Sequence, residues 1–262
     1  MRAADHPYFD LTGPVGLAHR GGARHTPNLQ RENTIPAFAE AMRLGMRYLE
    51  TDVHASADGG LFAFHDTHLD RVTDGTGAIA DHTSEQLRGI RTAAGDGIPT
   101  LEEVLEEFPD AHVNIDVKAP AAIDPLVETA RRMRVLDRIC VGSFSESRLR
   151  AVRKALGPAL ATAAGQMGVA GFRFAPLPVA RLLHSSAPVL QIPTHHRVRG
   201  REVELVTPGL VRRLHALGKH LHVWTIDEPE EMHRLLDLGV DGIVTDRPDV
   251  LIDVFAARGL TP

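Results

Sequence analysis

Two short apolar runs, each ending in polar residues, dominate the first quarter of the chain. The first reads VGLAHRGG (residues 15–22) and the second reads YLETDVH (residues 48–54), with the periodicity of an amphipathic helix between them at Ile35–Leu44. A strand, a helix and a second strand in this order form the βαβ unit, in which the two strands lie parallel. This stretch therefore predicts a parallel sheet whose strands end in charged side chains.

The same alternation continues along the chain. Eight runs are typical of strands: Val15–Ala18, Tyr48–Val53, His112–Val117, Arg138–Gly142, Ala159–Ala163, Val189–Ile192, His220–Thr225 and Gly242–Thr245. After the helix at Ile35–Leu44, which we expect Asn33 and Thr34 to cap, the further predicted helices are Leu101–Phe108, Pro125–Met133, Ser145–Leu156, Pro208–Leu217, Pro229–Leu238 and Pro248–Phe255. Eight βα units in 262 residues predict a closed (β/α)8 TIM barrel. A doubly wound open sheet is the alternative, but no Gly-x-Gly-x-x-Gly turn follows the first strand.

The alternation is interrupted once, after the second predicted strand. From about residue 58 to residue 97 the chain has one strand-like run, Leu61–Phe64, followed by the turn-rich sequence TDGTG (residues 73–77). The sequence therefore predicts a single domain over residues 1–262, with a small insertion at about 58–97.

Composition narrows the classes of function. With 43% hydrophobic and 24% charged residues, the chain resembles an ordinary soluble protein, and a net charge of -5 argues against a nucleic-acid partner. Cys140 is the only cysteine, so no internal disulfide can form. The first ten residues lack the pattern of a secretory signal, and no run of about 18 apolar residues occurs. We therefore expect a cytoplasmic protein without stable membrane insertion, and the oligomeric state is open.

Carboxylates collect where a barrel places its reactive groups, at the carboxyl ends of the strands. Residues two apart on a strand point to the same side, so Glu50 and Asp52 face one cavity. Asp116 and Lys118 have the same relation on the third predicted strand. Three inward carboxylates repel one another unless a cation neutralises them, and oxygen ligands favour Mg²⁺ or Ca²⁺ over zinc. The alternative is a buried ionic network in which Glu50 and Asp52 pair with Arg20 and Lys118.

Several motifs together resemble the glycerophosphodiester phosphodiesterase family. In the first third of the chain they are His19-Arg20-Gly21, Glu32-Asn33-Thr34, Glu50-x-Asp52, Asp58-Gly59, His65-Asp66 and Leu69-Asp70-Arg71-x-Thr73. The resemblance continues at NIDVK (residues 114–118), GSF (142–144), VWT (223–225) and DGIVTDRP (241–248). It thus covers nearly the whole chain.

The resemblance implies that the protein hydrolyses glycerophosphodiesters, which are small molecules, to sn-glycerol 3-phosphate and an alcohol. It also implies that the reaction depends on a divalent cation, which Glu50, Asp52 and Asp116 would hold. It also implies that His19 and His65 act as general acid and general base, without deciding which is which, and that His65 lies in a cap formed by the insertion. Arg20 and Lys118 are suited to stabilise charge on phosphoryl oxygens. Trp224 is either a wall for the substrate or part of the barrel core.

Two features depart from the family pattern. The third carboxylate is Asp116, where the family more often has Glu, and this shorter arm predicts a contact to the metal through water or an ion closer to the third strand. The loop that ends at Glu32 is a few residues longer than usual and adds Arg24, His25 and Arg31 near the site, either as contacts to a charged head group or as solvated residues.

Two other functions remain open at this level. One is a lysophospholipase D with the same mechanism, which would need an apolar patch, for which the candidates are Phe172, Phe174, Pro176 and Leu177. The other is a non-catalytic protein that binds phosphate esters. Such a protein would be expected to have lost a histidine or the acidic pair, and this chain retains them all.

Overall fold

The computed structural model describes residues 1–9, 13–165, 168–169, 171–172, 187–198 and 200–261. The strands of this part of the chain are β1 (Val15–His19), β2 (Tyr48–Ala55), β3 (Leu61–Ala63), β4 (His112–Val117), β5 (Ile139–Gly142), β6 (Ala161–Thr162), β7 (Val189–Ile192), β8 (His195–Val198), β9 (Arg201–Glu204), β10 (His220–Val223) and β11 (Gly242–Thr245). Eight of them form a parallel wall in the order β6-β5-β4-β2-β1-β11-β10-β7, and a parallel bridge between Ala163 and Val189 joins its two ends.

Wall strands that are neighbours in space also follow one another in sequence, and the last, β11, pairs with the first, β1. A doubly wound sheet would instead reverse its strand order at one point. The predicted (β/α)8 barrel is therefore confirmed, and the open sheet is excluded.

Helices cover the outside of the wall. In the described part of the chain they are α1 (Ile35–Arg43), α2 (Ser84–Gly89), α3 (Leu101–Glu107), α4 (Ile123–Met133), α5 (Glu146–Leu156), α6 (Pro208–Ala216), α7 (Pro229–Leu238) and α8 (Pro248–Ala257). Those predicted from the sequence begin and end within two residues of these bounds. A hydroxyl that accepts a bond from the first turn fixes several starts, as Thr34 does for α1 and Thr100 for α3. None of the described helices has the length and apolar character needed to cross a bilayer.

The insertion after the second strand is confirmed and has a small core of its own. β3 turns back antiparallel to β2, and α2 follows before the chain returns to α3. The apolar side chains of this segment cluster apart from the main core: Phe62, Phe64, Leu69, Ile79, Leu87 and Ile98. α2 was not predicted, because its six residues are too short to show a helical period.

Aromatic side chains close the amino-terminal end of the barrel. Tyr8 and Phe9, which precede β1, pack inside with their rings edge to face, and the Tyr48 hydroxyl donates to the Tyr8 carbonyl oxygen at 2.6 Å. Cys140 lies fully buried in the same cluster, as expected of an apolar filler. The barrel interior is therefore blocked at this end, and a ligand can enter only from the other.

One histidine is buried in this plug. His222 is fully buried, packs against the ring of Phe9, and has no hydrogen-bond partner for either ring nitrogen among the described residues. Burial, and next the neighbouring His220, lower the pKa of His222 to about 3.

We expect His222 to make the protein less stable in acid. Its ordinary pKa is about 6.5, so between that value and about 3 the unfolded chain binds a proton that the folded chain does not. The free energy of unfolding should fall as the pH is lowered through this range, by up to about 1.4 kcal/mol per pH unit from this residue. Urea unfolding from pH 7 to pH 4 should show a shallower fall for His222→Leu than for wild type. The exposed His196 supplies the control, since His196→Leu should keep the wild-type slope; equal slopes in all three proteins would contradict the prediction.

Candidate functional site

Strand register brings the predicted site residues to two adjacent levels of the barrel. His19 on β1 lies opposite Glu50 on β2, and Asp52 on β2 lies opposite Asp116 on β4. His19 is the last residue of β1 and Asp116 the last but one of β4, whereas Glu50 and Asp52 lie within β2, which runs on to pair with β3. The register alone therefore assembles the acidic part of the site.

Lys118 lies between two of the carboxylates. Its Nζ atom is 2.8 Å from Oδ1 of Asp52 and 2.6 Å from Oδ2 of Asp116. Burial alone would raise the pKa of Asp52, but the charges of Lys118 and Arg20 outweigh it and lower that pKa overall. Asp52 is therefore held as an anion and Lys118 as a cation.

Glu50 has no such partner. Its side chain is buried, with the residue 6% exposed, and no lysine or arginine of the described residues forms an ion pair with it. The Arg20 backbone N–H donates to its Oε2 at 3.3 Å, and His19 Nε2 is 3.8 Å from the same oxygen. Burial, and next the charge of Asp52, raise the pKa of Glu50 to about 7. The cation nearest to Glu50 is thus His19, which is charged only when it is protonated, and not a lysine or arginine side chain.

The surroundings of Glu50 bear on the two interpretations of the acidic residues. The described residues hold no group of three or more His, Cys, Asp or Glu side chains arranged as metal ligands, and Lys118 binds both Asp52 and Asp116. The ionic network therefore accounts for these two aspartates, but at Glu50 it supplies only His19, whose charge depends on protonation. A divalent cation bound at Glu50 and Asp52 would add a permanent charge there, and its oxygen-only donors fit Mg²⁺ or Ca²⁺.

Each of the two predicted catalytic histidines is held by an aspartate. His19 Nδ1 lies 2.7 Å from Oδ1 of Asp246, the residue after β11. His65 Nδ1, in the insertion, lies 2.6 Å from Oδ1 of Asp66. A carboxylate at Nδ1 fixes the orientation of the ring and leaves Nε2 for proton transfer. Sequence reasoning assigned no role to either aspartate.

The surroundings of His19 favour its charged form. Burial lowers the pKa of His19, but the charge of Glu50 and the bond with Asp246 raise it by more. The backbone N–H of Asp246 in turn donates to Asp227 at 2.9 Å. His54, which shares a strand face with Glu50 and Asp52, does not join them: its Nε2 donates to the His65 carbonyl oxygen at 3.1 Å and supports the insertion.

A left-handed turn sets the position of Arg20. Its φ is 51°, and the next residue, Gly21, has φ 83° and lies so close to α1 that a Cβ atom there would be 2.8 Å from the Cβ of Ala37. The Arg20 side chain reaches back into the site, with Nε 3.2 Å from Asp52 and NH1 3.2 Å from Glu32. The two cations of the site, Arg20 and Lys118, therefore follow the ends of two strands, β1 and β4.

Trp224 packs on the barrel interior and also lies beside the site, and its role as a wall for the substrate stays a prediction. It is partly buried and packs on the interior cluster of the barrel, and the Phe144 ring stands edge to face on it with 5.8 Å between centroids. Phe144 is 56% exposed and lies 5.8 Å from Lys118 Nζ. The two rings form an apolar wall beside the cation.

Asn33 corrects one prediction. Only Thr34 caps α1; Asn33 has φ 59°, and its Nδ2 donates to Asp52 at 3.2 Å while its Oδ1 accepts from Thr51 at 2.8 Å. The left-handed backbone at Asn33 turns its side chain away from the helix and toward the site. Asn33 therefore orients an acidic residue rather than a helix end.

The cations of the long loop are paired within the protein. Arg24 binds Asp227 at 2.9 Å, and His25 lies 3.1 Å from Glu40. Arg31 lies 3.2 Å from Asp96, which belongs to the insertion. Each contact joins the loop to another segment of the protein. Their charges are thus balanced without a ligand, which favours the structural interpretation of this loop.

Residues 19–250 match the model of the glycerophosphoryl diester phosphodiesterase family. The chain belongs to this family. Membership confirms the resemblance read from the motifs, and with it the prediction that the protein is a phosphodiesterase.

Members of the family with known names or structures align over nearly the full chain. A protein of Mycobacterium tuberculosis named probable glycerophosphodiester phosphodiesterase 2 is 41% identical, over 94% of this chain and 92% of its own length. The glycerophosphodiester phosphodiesterase of Caldanaerobacter subterraneus is 33% identical, over 93% of this chain and 98% of its own. A phosphodiesterase structure from Oleispira antarctica, in complex with the product sn-glycerol-3-phosphate, has a TM-score of 0.76 at 25% identity and covers 93% of this chain and 97% of that one.

We expect Asp246→Asn to lower kcat for phosphodiester hydrolysis on the order of 10- to 100-fold, part of the usual contribution of a general acid or base. An amide in place of the carboxylate keeps the shape of the side chain but removes the charge that favours protonated His19. KM should change little, since Asp246 binds His19 and no ion pair joins it to Arg20 or Lys118 among the described residues. Steady-state kinetics would check this prediction. The control is Asp237→Asn, which removes a carboxylate from a surface ion pair with Arg258. A kcat equal to that of the control would contradict it.

Proposed function

We propose that the protein hydrolyses glycerophosphodiesters to sn-glycerol 3-phosphate and an alcohol, with His19 and His65 as the proton-transferring pair and a divalent cation as cofactor. The observation that carries the proposal is the pairing of each histidine with an aspartate at Nδ1, at 2.7 and 2.6 Å, around a rim that also holds Arg20 and Lys118. The product bound in the Oleispira antarctica structure supports the substrate class.

The cations of the site bind and orient the phosphodiester. Arg20 offers a planar fork of N–H donors to two phosphoryl oxygens, and Lys118 offers a point charge. Charge on these oxygens grows as the nucleophile adds, so both interactions strengthen toward the transition state. Trp224 and Phe144 exclude water from one side and give the carbon-bearing part of the substrate an apolar surface.

The histidines move two protons. One imidazole takes a proton at Nε2 from the attacking hydroxyl, which belongs to water or to the glycerol moiety of the substrate, and the other donates a proton to the leaving alkoxide. Attack by the glycerol hydroxyl proceeds through a cyclic phosphate, which water then opens with the same two groups. The two routes place the same demands on His19 and His65.

Glu50, Asp52 and Asp116 are the residues that would hold the cation. Glu50 carries the argument, because it is buried, acidic and without a lysine or arginine partner. Asp52 shares its cavity, whereas Asp116 is bound to Lys118 at 2.6 Å and would join as a ligand directly or through water. When bound, Mg²⁺ or Ca²⁺ supplies positive charge to the phosphoryl oxygens.

Composition supports two further parts of the proposal. A cytoplasmic location agrees with a single cysteine that can form no internal disulfide. The net charge of -5 favours a small-molecule substrate over a nucleic acid, since the positive charge needed for one phosphate is local to Arg20 and Lys118.

A lysophospholipase D is the second candidate, but no described residue favours it. Phe172, the first member of its predicted apolar patch, is buried at 1% exposure and lies in the main core. The other three, Phe174, Pro176 and Leu177, lie outside the described residues. A phosphate-ester binding protein is disfavoured because both His–Asp pairs are intact.

The decisive experiment measures release of sn-glycerol 3-phosphate from glycerophosphocholine and glycerophosphoethanolamine. Chelator-stripped protein should be inactive, and Mg²⁺ or Ca²⁺ should restore turnover. His19→Ala should lower kcat by at least about 100-fold, and Glu50→Gln should abolish the response to metal. Glu102→Gln, at an exposed ion pair with Arg132, is the matched control and should behave as wild type.

Three other outcomes would overturn parts of the proposal. Full activity after chelation would show that the reaction needs no divalent cation. Cleavage of a lysophospholipid by a preparation that ignores both glycerophosphodiesters establishes the lysophospholipase D. No turnover of either class with any added metal leaves the binding protein as the function.

A further inference from the structure

One arginine of the insertion binds two carboxylates at once. The Arg71 Nε and NH2 atoms donate to Asp66 at 2.5 and 3.2 Å, while NH1 and NH2 donate to Glu32 at 2.9 and 2.6 Å. Asp66 belongs to the insertion, and Glu32 belongs to the loop between β1 and α1. Arg71 is therefore a direct tie between the two parts of the protein that carry the histidines.

Asp66 and Glu32 each bind a residue of the site as well. Asp66 also binds His65 Nδ1 at 2.6 Å, and Glu32 also accepts from Arg20 NH1 at 3.2 Å. Arg20 in turn lies 3.2 Å from Asp52. An unbroken chain of charged contacts thus connects a histidine of the insertion with the cation of the barrel.

Arginine has the geometry that this position requires. Its planar guanidinium has five N–H donors and can bind two carboxylates bidentately along two edges, whereas a lysine ammonium is one compact charge. Burial alone would raise the pKa of Asp66, but the bonds from Arg71 and His65 lower it to about 2. Asp66 therefore stays ionised and keeps both partners at any pH near neutral.

The network also contributes to folding, since Arg71 is 49% exposed but binds two mostly buried carboxylates in bidentate geometry. A test of its role in the site must therefore separate kcat from stability. Catalysis is sensitive to the placement of His65, because a shift of about 1 Å in a catalytic group can cost about 100-fold in rate.

We propose that Arg71 is a positioning residue for the hydrolysis: it fixes His65 through Asp66 and Arg20 through Glu32, and so sets the place of the insertion's histidine relative to the phosphate-binding cation. The inference rests on the proposed function, since it concerns residues that act in that reaction. It adds a residue that touches neither the substrate nor the reacting atoms.

The test compares Arg71→Gln, Arg71→Lys, Asp66→Asn and Glu32→Gln in the full-length, metal-supplied protein. Arg71→Gln should lower kcat on the order of 10- to 100-fold, and Arg71→Lys should recover only part of this loss. Asp66→Asn should lower kcat with KM nearly constant, whereas Glu32→Gln should raise KM, because it releases Arg20. In the Arg71→Gln background Asp66→Asn should cost several-fold less than in wild type, since both changes break one chain of contacts.

Arg88→Gln is the matched control. Arg88 also lies in the insertion and also binds a residue outside it, with NH1 2.9 Å from Glu103 Oε1 on α3, but it has no link to the site. Melting temperatures should show that Arg88→Gln and Arg71→Gln are both folded at the assay temperature, while only the latter lowers kcat. Equal kcat in the two variants, or additive losses in the double variant, would overturn the inference.

Failure of the proposed function can be distinguished from failure of the inference about Arg71. A wild-type protein that turns over no glycerophosphodiester with Mg²⁺ or Ca²⁺ overturns that function by itself. Crystal structures of wild type and Arg71→Gln then decide whether Arg71 positions His65: displacement of the His65 ring from its place beside Asp66 supports the positioning, and an unchanged ring refutes it.

Discussion

The arrangement of the site depends on one constraint, the need to compensate carboxylates that are buried side by side inside the barrel. The parallel register of β2 and β4 places Asp52 next to Asp116, and Glu50 lies one inward position below. A buried charge without compensation costs several kcal/mol, so cations must be built in or bound. Lys118 compensates the two aspartates from within the barrel. Glu50 has only His19 beside it, and it is therefore at Glu50 that we propose a bound divalent cation.

Closure of the barrel is what makes the remaining chemistry possible. His19 and its partner Asp246 are 227 residues apart in the chain, and they meet only because β11 pairs with β1. His65 and Asp66 are adjacent in sequence, so their pairing needs no closure, but their placement over the barrel needs the insertion to be anchored. One histidine is therefore fixed by the global topology and the other by contacts between the insertion and the β1–α1 loop.

The sequence predicts what repeats along the chain and misses what depends on tertiary contacts. Strand parity was enough to bring Glu50 and Asp52 to one face, and eight βα units were enough to predict the barrel. Asp246 stood in a recognised motif, yet its role requires knowing that the last strand lies beside the first. Asn33 preceded a helix and matched a capping residue, but its positive φ turns it into the site. The hairpin of β8 and β9 escaped prediction because its exposed residues show no apolar alternation.

The amino-terminal end of the barrel contributes mainly to stability, and the carboxyl-terminal end carries the site. At the amino-terminal end Tyr8 and Phe9 fill the interior and join an apolar cluster, and the burial of each such ring contributes about 1.5–3 kcal/mol to folding. At the carboxyl-terminal end the interior is charged, and these residues are held in place at a cost in desolvation. The same strands run through both ends of the barrel, so the two ends fold together. Apolar burial at the amino-terminal end therefore offsets the desolvation cost of the charged residues without contacting the site. A polar side chain that titrates within the plug, such as His222, then affects when the protein unfolds and not how it binds a phosphodiester.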